Sequence, residues 1–205
     1  MARTPKVVED RREQIIDAAL HVFAQKGFTR ATNKDIAREA GITPGLIYHY
    51  FDSKEALFME MLERRSPISI VKAMPAEMFD LPAEDFLRTL VLHVLQLVEG
   101  EDFLLFIRTI APEIIVNPTL STLFRGLLQQ QVLAFLHDFF ARKMANGELR
   151  AGNPEIAGQM LIGSVMSFVM RRHLLQDETL LALSQQEITD SIVDMFLLGL
   201  KPREQ

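Results

Sequence analysis

The sequence predicts an all-α fold in two parts, an N-terminal three-helix domain built on a helix-turn-helix and a larger C-terminal helical domain. Three observations carry that prediction. Apolar residues recur at three- and four-residue steps along most of the 205-residue chain. Period-two alternation is absent, and no Asn-Gly turn separates two apolar runs as it would in a hairpin. Glycines and Asn-Pro pairs fall where the periodic stretches stop and start.

Residues 1–8 read as a disordered arm, with Arg3 and Lys6 flanking Pro5. A helix follows from about Glu9 to Lys26, its buried stripe formed by Ile15, Ile16, Ala19, Leu20 and Phe23. Gly27 ends it, and Phe28 can pack back on the last turn. Thr32 to Lys54 then reads as two short helices around a tight turn. Ile36, Ala37, Ala40, Ile42, Ile47 and Tyr50 point inward, and Gly41 takes the corner. Thr32 and Asp35 form a capping box; Thr43 before Pro44 is an N-cap with proline at the first helical position. Asp52-Ser53 cap a further helix with Ala56, Leu57, Met59, Met61 and Leu62 on its apolar side.

Pro67, Pro75 and Leu81-Pro82 mark a boundary, so residues 1–65 form one domain and 66–205 the other. The second part reads as helices over Ala83–Glu99, Asp102 to about Val116 (kinked or ended at Pro112), Thr119–Met144, Pro154–Gln176 and Ser184–Leu200. Asn117-Pro118 and Asn153-Pro154 are starts, and Asn146-Gly147 is a stop.

Composition narrows the function classes. The chain has no cysteine, which excludes disulfides and thiolate metal sites and is compatible with the cytoplasm. The N-terminus has no apolar signal core, and the longest uncharged run, Ile156 to Met170, has 15 residues, too few to span a bilayer. The net charge of −5 divides unevenly: residues 1–65 carry 11 basic and 10 acidic groups, the remainder 11 and 17. Affinity of the first part for DNA must therefore come from placed contacts rather than a general basic field. His93, His137 and His173 lack the spacing of a helix-borne metal pair, and no nucleophile elbow or phosphate-binding glycine loop occurs. No catalytic residue, metal or cofactor is assigned.

A helix-turn-helix presents its second helix to the DNA major groove. Leu46-Ile47-Tyr48-His49-Tyr50-Phe51 places more bulky groups on that helix than its inner face can hold. The block from Arg12 to Leu62, with IIDAALHVFAQKGFTRATNKDIAREAGITPGLIYHYFDSKEALFMEML, closely resembles the DNA-binding domain of the tetracycline-repressor (TetR/AcrR) family. The resemblance covers roughly a quarter of the chain. It implies a homodimer on a palindromic double-stranded DNA operator, with a small-molecule effector taken by the C-terminal domain and most members acting as ligand-released repressors. It places DNA contacts at Asn33, Lys34, Thr43, Pro44, Gly45, Tyr48, His49 and Lys54. Pro44 departs from the Lys or Arg of many relatives and lacks both charge and N–H, which puts one phosphate contact in doubt.

The first turn of the recognition helix offers free N–H groups to phosphate, and Gly45 lets the backbone approach. Tyr48 can give a hydroxyl to phosphate and a ring face to a thymine methyl, or pack as a half-buried ring; His49 can donate to a base edge. Lys54 reads as a phosphate contact or a solvated lysine. In the C-terminal part, His93, Phe103, Phe106, Arg108, Phe135, Phe139 and Phe168 are candidate lining of a pocket for an apolar or acidic-amphipathic ligand, with plain core as the alternative. Arg108 could hold an acidic group or pair with Glu113 or a neighbouring helix.

Two further stripes, Ile156, Met160, Gly163, Ser167 and Met170, then Ile188, Ile192, Met195, Phe196 and Gly199, suit an isologous four-helix interface. The resemblance favours that interface over the chain's own core. Two rival functions stay open: a DNA-binding dimer without effector, in a chromosome-organising or division-control role, and an enzyme or carrier with a vestigial DNA-binding head.

Overall fold

The computed structural model describes residues 5–200, and within these no strand occurs. Thirteen α-helices, one 3-10 turn and three π-helical turns are arranged in two compact units. The first comprises the chain up to Ser66 together with Glu101–Arg125; the second comprises Pro67–Gly100 and the chain from Gly126 onward.

In the first unit, α1 (Pro5–Lys26), α2 (Asn33–Glu39), α3 (Pro44–Ile47) and α4 (Lys54–Arg65) surround one core. Helix α1 begins at Pro5, inside the stretch read as an arm, because proline is tolerated in a first helical turn. Arg3 lies outside the described residues, as does the side chain of Lys6. The rings of Phe23, Phe28 and Phe58 meet with centroids 4.9–5.7 Å apart, and Ile15, Ile16, Leu20, Ile36, Ile47, Leu57, Met61 and Leu62 close around them. On α4 the buried side is Leu57, Phe58, Met61 and Leu62, whereas Ala56 is exposed; the expected stripe is displaced because the large ring of Phe58 takes the inward position.

An ionic lattice joins α1 to α4. Arg12 grips Glu60 with Nε and Nη2 at 2.6 and 2.5 Å, Arg64 reaches Glu9, Glu13 and Glu60, and Arg65 reaches Glu13 and Asp17. Most acidic groups of α1 are thus paired within the unit.

Helix α7 (Glu101–Leu105), a π turn over Phe106–Ile110 and α8 (Ala111–Val116) pack in this same compact unit. Arg65 lies 3.4 Å from Asp102, and a Glu113 carboxylate oxygen accepts the Phe28 N–H. Gly27 has φ +76, and a Cβ there would lie 2.0 Å from Glu113 Oε1, so the turn needs glycine for backbone and space alike. Pro112 does not end the helix. The N–H of Ala111 reaches back five residues to the Phe106 carbonyl, and this widened turn carries the chain into the proline.

The second unit holds the short α5 (Ile68–Ala73), a 3-10 turn over Ala76–Asp80, α6 (Ala83–Val98), the continuous run of α9 (Pro118–Leu127), π turn and α10 (Ala134–Ala145) from Gly126 on, α11 (Pro154–Val169), α12 (Glu178–Leu181) and α13 (Gln185–Leu200). Phe86 stacks on Phe139 at 4.0 Å, and Phe79, Phe135, Phe140 and Phe196 extend the cluster. Gly158 lets α11 close on Leu136 of α10, where a Cβ would stand 3.1 Å from the Leu136 Cβ. The Lys143 ammonium, buried, binds the Leu81 carbonyl at 2.6 Å and Glu148 at 2.7 Å. The asparagine caps form as read: Asn117 Oδ1 accepts from Thr119 and Leu120, and Asn153 Oδ1 from Glu155 and Ile156. Ser184 and Glu187 add a reciprocal capping box at the start of α13.

Several carboxylates sit below their usual range: Glu60 through its bonds from Arg12, Asp35 through Lys26 and Thr32, and Asp177 down to about 2 through Thr179 and Arg171. A depressed folded value contributes stability above the unfolded value of about 4, and that contribution disappears as pH falls through the folded value. Thermal melts of the full chain are expected to hold level from pH 7 to about 5 and to drop steadily from about pH 4 toward 2. Glu60→Gln should lower the plateau and shallow the acid slope; a slope identical to wild type contradicts the assignment.

Candidate nucleic-acid interface

The two helices of the central motif are very short, seven residues in α2 and four in α3. Thr32 caps α2 in a complete box, its hydroxyl accepting the Asp35 N–H while the Asp35 carboxylate accepts the Thr32 N–H. Gly41 turns the corner at φ +61, and the Ile42 N–H closes the turn on the Ala37 carbonyl at 2.9 Å. Thr43 stands at the N-cap of α3, but its hydroxyl makes no capping bond. Beyond Ile47 the chain continues in tight turns, with the Tyr50 and Phe51 N–H groups both bonded to the Ile47 carbonyl.

The outer side of this motif carries the residues expected to meet DNA. Thr43, Pro44, Gly45 and His49 are exposed, Tyr48 is 62% exposed, and the space around the Gly45 α-carbon is open. Ile47 and Phe51 turn inward instead and anchor the segment in the core. Tyr50, expected in the core, is half-buried and lies at its margin. Exposed Lys34 and half-buried Asn33 open α2. The Asn33 Oδ1 is buried without a hydrogen-bond partner, so only its Nδ2 could serve a phosphate, itself an acceptor.

Lys54 is placed differently from its reading as a phosphate contact. Its ammonium donates to the Phe28 carbonyl at 2.8 Å and the Ala31 carbonyl at 2.9 Å, and lies 4.4 Å from the centre of the Phe28 ring. Two of its three protons therefore hold the turn that leads into α2. Gln14 donates to the Ala40 carbonyl at 2.7 Å, and Arg12 Nη1 to the Tyr50 carbonyl at 3.0 Å. These supports escaped the sequence reading; their only sequence signal is long polar side chains on the margin of an apolar stripe.

The proposed pocket residues are divided between the units. Phe103 and Phe106 are buried and adjacent in the first, and Arg108 is exposed there. Phe139 is buried and Phe135 and Phe168 half-buried in the second, whereas His93 is exposed because it lies on the side of α6 opposite Val91 and Leu95. Among the described residues no group of His, Asp and Glu is placed to hold a metal, and no single helix is long and apolar enough to cross a membrane.

The stripes read as an interface also separate. Ile156, Met160, Gly163, Ser167 and Met170 are all exposed, with Met160 at 60%. On α13, Met195 (76%) and Gly199 are exposed and Phe196 is half-buried, but Ile188 and Ile192 are buried in the chain's own core with Val193 and Leu197. The stripe had merged two neighbouring faces of one helix; Leu198, 78% exposed, belongs with the outer one. Gly163 and Gly199 face open space.

Comparison with known proteins matches residues 15–61 to the family model described as bacterial regulatory proteins, tetR family, and residues 85–199 to that of the AefR-like transcriptional repressor C-terminal domain. The HTH-type transcriptional regulator HbdR of Aromatoleum sp. (strain CIB) is 48% identical over 58 residues, 28% of this chain and 25% of HbdR. The chain spans about a quarter to a third of the lengths of the first curated relatives it matches. Two solved structures share the fold over nearly the whole chain. A TetR-family regulator from Mesorhizobium loti MAFF303099 covers 98% of this chain and is itself covered to 100%, with a TM-score of 0.73 and 23% identity. FadR from Bacillus subtilis, in complex with stearoyl-CoA, covers 91% and is covered to 98%, with a TM-score of 0.72 and 22% identity.

Lys54 and Tyr48 are separable by experiment. Lys54→Met is expected to destabilise the chain by about 2 kcal/mol, the scale of charged hydrogen bonds to backbone carbonyls. Tyr48→Ala should leave stability unchanged and weaken duplex binding by about 1–3 kcal/mol. Equal melting temperatures for Lys54→Met and wild type, with a salt slope of binding shallower by about one unit, would return Lys54 to the phosphate role.

Proposed function

Because this chain belongs to the TetR family of bacterial transcriptional regulators, which are not enzymes, we propose that it is a homodimeric, cytoplasmic repressor that leaves its operator when a small apolar or acidic-amphipathic ligand binds. The observation that carries the DNA-reading half is the exposed surface of Thr43, Pro44, Gly45, Tyr48 and His49, held on a segment whose other side, Ile47 and Phe51, is locked in the core. An outward aromatic and imidazole on an anchored turn have the chemistry to meet base edges and phosphates. Asn33 Nδ2 and Lys34 add phosphate contacts from α2, whereas Lys54 serves the turn before α2.

The dimer reading is supported by the outer faces of α11 and α13, where Ile156, Met160, Met170, Met195 and Leu198 are exposed and two glycines leave room for close approach. Apolar side chains in two such rows are what a symmetric four-helix contact buries. The effector reading is supported by the match of residues 85–199 to a repressor C-terminal domain and by the likeness to FadR, whose ligand joins a long acyl chain to an acidic head. The tight ring cluster around Phe86 and Phe139 favours the rival reading, a DNA-binding dimer with a filled core.

Met195→Glu and Gly163→Arg are expected to give folded monomers, since both positions face open solvent in the single chain, with operator affinity lost although residues 1–65 are unaltered. Sedimentation and DNA binding like wild type in either variant would remove these helices from the interface. Stearoyl-CoA at micromolar concentration is expected to release the protein from an operator selected from random duplexes, and Arg108→Met to blunt that release while leaving DNA binding intact. No release by acyl-CoA esters of any chain length would contradict the acyl reading of the effector.

A further inference from the structure

The helix that carries the reading residues cannot hold itself. Four residues make barely one turn; the Ile47 carbonyl takes the Tyr50 and Phe51 N–H groups, and the carbonyl of Tyr50, just beyond, is satisfied from a distant part of the chain. Arg12, on α1, donates Nη1 to the Tyr50 carbonyl at 3.0 Å and lays its guanidinium 4.6 Å from the centre of the Phe51 ring. The same group is fixed from behind by Glu60 of α4, which takes Nε and Nη2 in a two-pronged contact and is itself held by Arg64 at 3.1 Å. All three guanidinium nitrogens are thus engaged, two on the scaffold and one on the reading segment. Tyr48 and His49 precede Tyr50 by two residues and one, so the direction of their side chains follows the path of that anchored backbone.

We propose that Arg12 is a positioning residue for DNA reading: it touches no base or phosphate, and fixes the exit of α3 so that Tyr48 and His49 meet the groove in one orientation. Only arginine suits the task. A lysine has the charge to pair with Glu60, but its single ammonium cannot keep a planar two-pronged contact, a carbonyl bond and a ring contact together. Ile47 and Phe51 fix the depth of the segment in the core; a backbone bond at Tyr50 adds direction, which apolar packing does not supply. The inference rests on the DNA-reading proposed above.

The test uses the full chain, a duplex recovered with wild type from a random library, and a random-sequence duplex of equal length. Arg12→Lys, which keeps the charge beside Glu60, is expected to cut the ratio of the two affinities at least tenfold, with the random-duplex affinity and its salt dependence unchanged. Glu60→Gln, which loosens the grip but leaves Arg12, should give an intermediate loss. A second readout needs no DNA: Tyr48 and Tyr50 are the only tyrosines and there is no tryptophan, so iodide quenching of tyrosine emission should rise in Arg12→Lys. A ratio within twofold of wild type, or unchanged quenching, overturns the proposal and leaves Arg12 as a staple between α1 and α4. A salt slope shallower by about one unit also overturns it, by showing a direct phosphate contact. Should wild type itself show no sequence preference, the DNA-reading fails, and quenching still decides whether Arg12 positions the α3 exit.

Discussion

The first unit depends on satisfying the backbone ends of two helices too short to do so themselves. Every helix leaves unpaired N–H groups at its start and carbonyls at its end, and in helices of seven and four residues those ends are most of the structure. The chain answers with side chains from longer helices. Gln14 takes the Ala40 carbonyl, Arg12 the Tyr50 carbonyl, and Lys54 the carbonyls of Phe28 and Ala31. Glu113 supplies the matching acceptor for the Phe28 N–H, so both polar groups of that residue are occupied. The outer surface is then left to exposed residues that the core does not need.

The same contacts explain the grouping of Glu101–Arg125 with the head. Asp102 near Arg65 and Glu113 on the turn after α1 hold the two ends of the α7–α8 segment, and a π turn between them takes up the constraint of Pro112. A carboxylate packed against Gly27, where a side chain would collide with it, ties α8 to the turn after α1.

What was legible in the sequence was local. Thr32 with Asp35, Ser53, Asn117 and Asn153 cap within three residues of themselves, so residue type and spacing suffice to find them. The outward placement of Tyr48 was legible for the same reason, since it shares one turn with Ile47 and only Ile47 belongs to the apolar stripe. Arg12 lies 38 residues from Tyr50 and Glu113 lies 85 from Phe28, and no spacing rule connects them. Lys54 was readable as a cation near DNA, but its carbonyl partners are set by how the 27–31 turn folds back. On α13 the sequence shows apolar residues on two adjoining faces; only packing against α6 tells that Ile188 and Ile192 belong inside and Met195 and Leu198 outside. The π turns leave no pattern that apolar spacing shows.

The central claim is that paired heads, each presenting Thr43 to His49 from this scaffold, read one face of a duplex. Hydroxyl-radical footprinting of the full chain on its selected duplex tests it most directly. The account predicts two protected patches related by a two-fold axis, with centres separated by about one helical turn, 34–36 Å, or a whole multiple of it. A single protected patch, or uniform protection without sequence preference, would contradict it.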